Sequence, residues 1–223
     1  MFAELGQFLR HAPATLALKR KLPQAELYAE LMRRADEAGL ADRRHALVDG
    51  LRGHVVEVGC GTGAMFGHYR DVERVTAIEP DAAFAALARD AAARVSVRVD
   101  VIEGRGEAIP VADAAADAVV VALVLCSVPR VDDVVRELAR VVKPGGVVRL
   151  LEHVRSPRLI AGALMHAINP IWLALNGQGC RMNRDPLPAL ERGGLRIERV
   201  EPFQVWSAGI PAFPMRLVDA RRA

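Results

Sequence analysis

A run of closely spaced glycines constrains this chain more than any other feature of its sequence. The apolar segment 54–58 leads directly into Gly59, Cys60, Gly61, Thr62 and Gly63. Glycine allows backbone conformations that other residues avoid and lets a ligand approach the main chain closely. The pattern therefore predicts a buried strand, a tight ligand-binding turn, and a helix that opens over residues 64–70.

Apolar segments of strand and helix character alternate from residue 54 to residue 153. This alternation predicts an α/β fold with a Rossmann-like, doubly wound and mostly parallel seven-stranded sheet, and with helices on both faces. An antiparallel C-terminal hairpin is expected to close the sheet. The expected strands are 54–58, 75–79, 95–102, 117–125, 147–153, 195–200 and a last one from 205 onward; the expected helices are 24–38, 41–51, 81–93, 131–142 and 186–193.

The length of 223 residues suits a single domain, 1–223, with a sizeable core. Residues 1–52 are interpreted as an N-terminal helical cap and residues 53–155 as the ligand-binding core. Residues 156–185 are expected to form a helical insertion, broken by Pro170, on the side of a second substrate. Residues 186–223 would supply the closing helix and hairpin.

Composition and charge exclude several classes of function. The net charge is only +3, and the basic residues are scattered among acidic ones, which argues against a nucleic-acid partner. No apolar run reaches the roughly 18 residues of a membrane span, although residues 1–22 could contact a membrane surface weakly. The three isolated cysteines predict no disulfide scaffold and favour the reducing cytoplasm. The six histidines and three cysteines have no metal-ligand spacing, so no metal is expected.

Two acidic residues distinguish between cofactors that a glycine turn can bind. The spacing of Gly59, Gly61 and Ala64 also fits a dinucleotide site, with Glu79 on a ribose. Glu57, however, lies two residues before the turn, where a carboxylate would repel a pyrophosphate. A ligand that carries an ammonium and a sulfonium group would instead be attracted. The residues thus favour S-adenosylmethionine, while a dinucleotide remains the alternative.

Five motifs in the expected order resemble those of the class I S-adenosylmethionine-dependent methyltransferases, of the type 11 methyltransferase domain. They are the glycine motif 57–63, the acidic motif 79–81, the loop 106–110, the segment 117–128, and the helix and Lys-Pro-Gly-Gly turn of 137–146. The resemblance implies that the acid after the second strand binds the ribose and that the loop acid faces the adenine. The implied cofactor-binding residues are Glu57, Gly59, Cys60, Gly61, Thr62, Gly63, Glu79, Pro80, Gly106, Glu107, Ala122 and Leu123.

Further motifs are similar to those of the methyltransferase-like thiol S-methyltransferases and of bacterial quinone and phospholipid methyltransferases. They include residues 123–128, residues 152–154 and the Gly179-Cys180 segment. The resemblance implies a transferase that moves a methyl group by in-line attack onto a small, lipophilic acceptor. A thiol is favoured, and a quinol, an amine or a phospholipid remains open, as does the oligomeric state.

Two residues at the end of the fifth strand are candidates for catalysis. Glu152 and His153 end that strand at the edge where open α/β sheets bind ligands, and only one of two successive strand residues can face the pocket. Imidazoles titrate near neutral pH, so His153 could take a proton from the acceptor. Two alternatives remain beside the methyltransferase: an NAD(P)-dependent oxidoreductase, and a cofactor-binding protein without turnover.

Overall fold

The computed structural model describes residues 21–205 and 213–222, and within these it contains six α-helices and seven strands. The α-helices are α1 (Gln24–Ala35), α2 (Ala41–Val48), α3 (Ala82–Ala92), α4 (Val131–Val141), α5 (Leu159–Asn176) and α6 (Leu187–Arg192). The strands are β1 (Gly53–Val58), β2 (Val72–Glu79), β3 (Arg98–Glu103), β4 (Ala116–Ala122), β5 (Val142–His153), β6 (Leu195–Phe203) and β7 (Met215–Arg222).

The seven strands form one sheet in the order β3-β2-β1-β4-β5-β7-β6. The first five strands pair in parallel, whereas β7 runs antiparallel between β5 and β6. The strand order reverses direction beside β1, so the carboxyl ends of β1 and β4 flank the crevice where open α/β sheets bind ligands. The predicted fold class, including the antiparallel closing hairpin, is confirmed.

Successive residues of the central strands feed two hydrophobic cores on opposite faces of the sheet. On β1, Val55 packs into one core and Val56 into the other, and both are fully buried. The amphipathic helix α4 covers the second face with Val134 and Leu138. Helices on both faces explain why these strands are apolar runs without polar alternation.

The segment after the glycine turn corrects one sequence expectation. Residues 64–70 were expected to open a helix, but a short 3₁₀ turn, Phe66–His68, stands there instead. Its hydrogen bonds run from Phe66 N to Gly63 O and from His68 N to Met65 O. The chain becomes extended at Tyr69, whose hydroxyl reaches a buried acid on β1, and β2 begins at Val72. A full α-helix would carry Tyr69 away from that acid.

The helical insertion also differs from expectation. The helix α5 continues through Pro170 without a break. Proline lacks an N–H and so leaves the carbonyl of His166 without its helical hydrogen bond, but both residues are exposed and water can reach that carbonyl. It has 18 residues with a mean hydropathy of 1.4, and 11% of it is buried. By length and composition it could cross a membrane, which corrects the expectation that no segment is long and apolar enough.

The N-terminal part of the cap lies outside the described residues. Residues 1–20, and the membrane contact expected of residues 1–22, therefore have no structural account beyond Lys21 and Leu22. In the described part of the cap, α1 and α2 are joined by a kinked segment, Asp36–Leu40, in which Gly39 has a non-helical φ of +107°. The division of the chain into cap, core, insertion and closing elements stays a prediction.

Candidate active site at the carboxyl edge of the sheet

The glycine turn lies directly after β1 and is bonded to the neighbouring strand. The amides of Gly59 and Cys60 both donate to the carbonyl of Ile78 on β2, at 2.8 and 3.0 Å. Gly59 has a φ of +70°, and a Cβ placed on it would lie 2.5 Å from Cγ2 of Val124. A side chain at this position would collide with the segment after β4, so only glycine fits.

Glu79 connects the turn to the end of β2. Its Oε2 accepts a hydrogen bond from the Gly61 amide at 2.9 Å, and its Oε1 accepts one from the Asp81 amide at 3.1 Å. Burial raises the pKa of Glu79, while these two backbone donors act against that rise. Each oxygen retains a lone pair, so the carboxylate could still accept hydrogen bonds from two ligand hydroxyls. The ribose-binding role of Glu79 stays a prediction.

Glu57 lies deeper than the ligand-binding prediction implies. Its side chain is almost fully buried on β1, and its Oε2 accepts a hydrogen bond from the Tyr69 hydroxyl at 2.8 Å. Burial raises the pKa of Glu57 to about 8. At neutral pH the isolated carboxyl is therefore mostly protonated, and a nearby cationic ligand would favour its ionised form.

The remaining predicted cofactor residues lie around the same edge. Gly106 packs under Val58 at the end of β1, and Glu107 lies 3.6 Å from Arg105 in an ion pair. Leu123 follows Ala122 at the end of β4 with a φ of +62°, a strained value for leucine, and its amide donates to Leu151 O. The others are Cys60, which is buried in the turn, the exposed Pro80, and Thr62 and Gly63, which line a cavity of about 570 Å³ that extends under α1.

Glu152 is placed as a positioning residue for the segment after β4. Its Oε1 accepts hydrogen bonds from the amides of Val124 and Leu125, both at 2.8 Å. Its Oε2 is buried and has no partner among the described residues. Burial raises the pKa of Glu152 to about 7, against the effect of these amides. The carboxyl thus fixes the loop that faces Gly59.

His153 lies beside two cysteines. Its Nε2 forms a hydrogen bond with Cys180 Sγ at 2.9 Å, and its ring stacks against Phe213 with centroids 5.0 Å apart. Its Nδ1 is buried and unbonded within the described residues. Hydrogen bonds from Cys126 and then from His153 lower the pKa of the Cys180 thiol, whereas that of Cys126 is raised. A proton acceptor built here would be the His153–Cys180 pair.

Sequence reasoning missed three residues of this region. Tyr69 follows a turn that was expected to be helical, so nothing indicated that it would reach Glu57. Tyr28 of α1 lies over the glycine turn, where its ring edge would be 3.5 Å from a Cβ on Gly61, and its ring packs on Phe84. Cys180 was noted only as part of a motif, because its partners are 27 and 54 positions away in the chain.

The strand order, together with the acid that receives the turn amide after β2, defines a class I methyltransferase fold. Residues 56–150 match the family model described as a methyltransferase domain. This segment of the chain is therefore similar to a methyltransferase domain. This agrees with the resemblance seen in the sequence, and nothing in these comparisons supports the dinucleotide alternative.

Individual relatives are similar to this chain over part of its length. The chain is 34% identical to human thiol S-methyltransferase TMT1A over 159 residues, which are 68% of this chain and 65% of that relative. It thus spans just under two thirds of the relative's length. It is also 34% identical to the ubiquinone/menaquinone biosynthesis C-methyltransferase UbiE of Rubrivivax gelatinosus over 44% of this chain and 39% of that protein. A geranyl diphosphate methyltransferase solved with S-adenosylmethionine shares the fold, with a TM-score of 0.69 at 19% identity over 90% of each chain.

Proposed function

We propose that this protein transfers the methyl group of S-adenosylmethionine to a small, lipophilic acceptor. The observation that carries the proposal is the Glu79 carboxylate, which is held by the Gly61 amide at the mouth of the glycine turn. A buried carboxylate in this position fits two vicinal hydroxyls of a ribose. Gly59 and Gly61 have positive φ values and carry no side chains. The cofactor could therefore pass close to the main chain of the turn.

The residues of the chain contribute binding, alignment and exclusion of water. S-adenosylmethionine supplies an electrophilic methyl carbon, which an acceptor sulfur attacks while the bond to the sulfonium sulfur breaks and leaves S-adenosylhomocysteine. Glu57 would favour the cationic end of the cofactor through its charge, directly or through water. Tyr28 would shield the turn from solvent, since its ring lies over Gly61. Correct alignment in a dry site can supply most of the rate enhancement of such a transfer.

A thiol is the acceptor that we favour. The support is the similarity to human thiol S-methyltransferase TMT1A and a buried His153–Cys180 pair that could take the thiol proton. A thiol needs little help from a base, since alkyl thiols already ionise measurably near neutral pH. A quinol follows as the second candidate from the similarity to UbiE. We further propose a cytoplasmic location, because all three cysteines are free thiols.

Isothermal titration calorimetry with S-adenosylmethionine, S-adenosylhomocysteine and NADH tests the cofactor. Both sulfur compounds should bind the wild-type protein and NADH should not. The Glu79→Gln variant should bind them about 100-fold more weakly, because it loses the charge that strengthens two hydrogen bonds. Glu103→Gln is the matched control, an exposed acid that ends the neighbouring strand β3. Binding of NADH alone, or unchanged affinity of Glu79→Gln, would contradict the site.

Release of S-adenosylhomocysteine with alkyl thiols, quinols and amines tests the acceptor. Alkyl thiols should give the fastest release. The His153→Gln variant should lower the rate with a thiol most at pH values below the thiol pKa, where a proton must be taken up. A pH–rate profile identical to that of wild type would exclude His153 as the base. Turnover with quinols alone would replace the thiol with the second candidate.

A further inference from the structure

Three soft ligand atoms converge in the interior behind the segment that follows β4. Cys126 lies in that segment, His153 ends β5, and Cys180 follows α5. The two sulfurs and a ring nitrogen of His153 all lie within 4.8 Å of one another. Cys126 and His153 are buried, whereas Cys180 is partly accessible to solvent. Ligands from three separate elements have no regular spacing in the sequence, which is why the sequence predicted no metal.

The segment that carries Cys180 is held firmly against the segment that carries Cys126. The Arg181 amide donates to Cys126 O at 2.9 Å, and the Arg184 guanidinium donates to the carbonyls of Leu125 and Val128 at 2.6 Å. Asn176, at the end of α5, donates through its side chain to Cys180 O at 3.0 Å. The two thiols are thus positioned by backbone bonds that do not depend on the thiols themselves. Such preorganisation is what a metal site requires.

The surroundings leave polar atoms of the cluster unsatisfied. His153 Nδ1 and Trp172 Nε1 are buried and have no hydrogen-bond partner among the described residues. The Phe213 ring covers the imidazole on one side and packs edge-on against Trp172. Trp172 Nε1–H can only donate, for which a thiolate sulfur is a suitable acceptor, and a metal on His153 Nε2 would leave the proton of the neutral imidazole on Nδ1. These two atoms are therefore not ligands of a metal themselves.

We propose that Cys126, His153 and Cys180 bind a thiophilic divalent cation, for which Zn²⁺ is the best match. Two thiolates and a neutral imidazole give a complex with no net charge, which lowers the cost of burying the ion. Tetrahedral zinc places such donors about 3.5 to 3.8 Å apart. The three donor atoms lie within 4.8 Å of one another, and the 2.9 Å between His153 Nε2 and Cys180 Sγ would lengthen when the metal enters between them. The metal would replace the hydrogen bond between His153 and Cys180, so in the metal-bound protein this pair would not be the proton acceptor. Mg²⁺ and Ca²⁺ are disfavoured, because the three side chains of the cluster offer sulfur and nitrogen and no carboxylate.

Three protein ligands leave a fourth coordination position open, as in catalytic zinc sites. If the acceptor is a thiol, its sulfur could occupy this position as a thiolate, and its proton would pass to solvent. That consequence rests on the proposed function, whereas metal binding itself does not. The two can therefore fail separately, because the first is measured by turnover and the second by metal content.

The test is metal content together with cobalt titration of the metal-free protein. Wild-type protein purified with a non-thiol reductant should hold about one zinc per chain by mass spectrometry of the metal. After removal of the zinc with a chelator, Co²⁺ should produce the charge-transfer absorption of cobalt–thiolate bonds. The Cys126→Ser and Cys180→Ser variants should bind about 100-fold more weakly or lose that absorption. Cys60→Ser, a buried cysteine of the glycine turn, is the matched control and should retain both.

Two further measurements make the outcome unambiguous. Far-UV circular dichroism of each variant separates lost binding from lost folding, and His153→Gln provides a variant in which both thiols remain. S-adenosylmethionine binding, measured by calorimetry on the same samples, reports the cofactor site independently. The proposal is overturned if the folded, fully reduced wild-type protein holds no zinc and gives no cobalt–thiolate absorption. A Cys126–Cys180 disulfide that forms in air, with no metal binding after its reduction, would overturn it equally.

Discussion

At the scale of single residues, the contact between Gly59 and Val124 determines how the glycine turn meets the segment after β4. The Gly59→Ala variant would place a methyl group 2.5 Å from Val124 Cγ2. Val124 cannot retreat easily, because its amide is bound by Glu152 and the preceding amide by Leu151. The free energy of unfolding of the variant should fall by about 1 kcal/mol because alanine disfavours a positive φ, and by a further ~1–3 kcal/mol because of overpacking.

Gly145→Ala is the matched control for that prediction. Gly145 has a φ of +73°, nearly that of Gly59, yet nothing lies within 4 Å of its added Cβ. It should therefore lose only the backbone contribution of about 1 kcal/mol. Urea unfolding of both variants measures the difference. Equal losses at the two positions would mean that the segment after β4 yields, and that Glu152 does not hold it in place.

At the scale of elements, Asp81 fixes where α3 begins, two residues after Glu79. Its Oδ1 accepts hydrogen bonds from the amides of Ala83 and Phe84, at 2.8 and 3.2 Å. The Asp81→Ala variant should lower the free energy of unfolding by about 1 kcal/mol. Asp90→Ala, an exposed acid in the last turn of the same helix, removes no cap and should not lower it. Comparable losses in both variants would show that capping contributes little here.

The elements that were predicted well are those with local signals. Asp81 caps the start of α3, and the Pro144-Gly145-Gly146 sequence stops α4 at Val141, so local chemistry marks both ends. The predicted turn 143–146 itself lies within β5, where its register is irregular. The prediction of a helix over 64–70 was wrong, because the conformation of this segment depends on the contact between Tyr69 and Glu57, which are distant in the sequence. Pro170 predicted a break that the helix avoids by exposing the affected carbonyl.

Some residues of the candidate site could likewise be predicted from local motifs, whereas others could not. Gly59 and Glu79 each stand in a short motif at the end of a predicted strand, so the sequence already places both at one edge of a parallel sheet. No local pattern could place Glu152 under the amides of Val124 and Leu125, or bring Cys126 and Cys180 to His153. These contacts arise because β4 and β5 are neighbours and because the segment after α5 returns across their ends. Tertiary topology, and not residue type, creates them.

At the scale of the whole molecule, the chain buries two carboxyl groups beneath its candidate site. Burial raises the pKa of Glu57 to about 8 and that of Glu152 to about 7. In the unfolded chain both ionise near their ordinary value of 4.5, so the folded state holds more protons between pH 4.5 and about 8. Each group therefore stabilises the fold fully only below its unfolded pKa, and this contribution is lost as the pH rises through the folded pKa.

Replacing Glu57 with glutamine removes the loss of stability that comes from ionising a buried carboxyl at higher pH. The neutral amide still accepts the Tyr69 hydrogen bond and never ionises. Relative to wild type, Glu57→Gln should gain roughly 2–4 kcal/mol in unfolding free energy between pH 5 and pH 9, measured by urea unfolding. The titrations of His54, His68, Cys126 and Cys180 are common to both proteins, so they cancel in the difference. Glu103→Gln, at an exposed position, should show no such gain. A constant difference between Glu57→Gln and wild type across this range would mean that Glu57 is ionised throughout, and that a cation already compensates it in the folded protein.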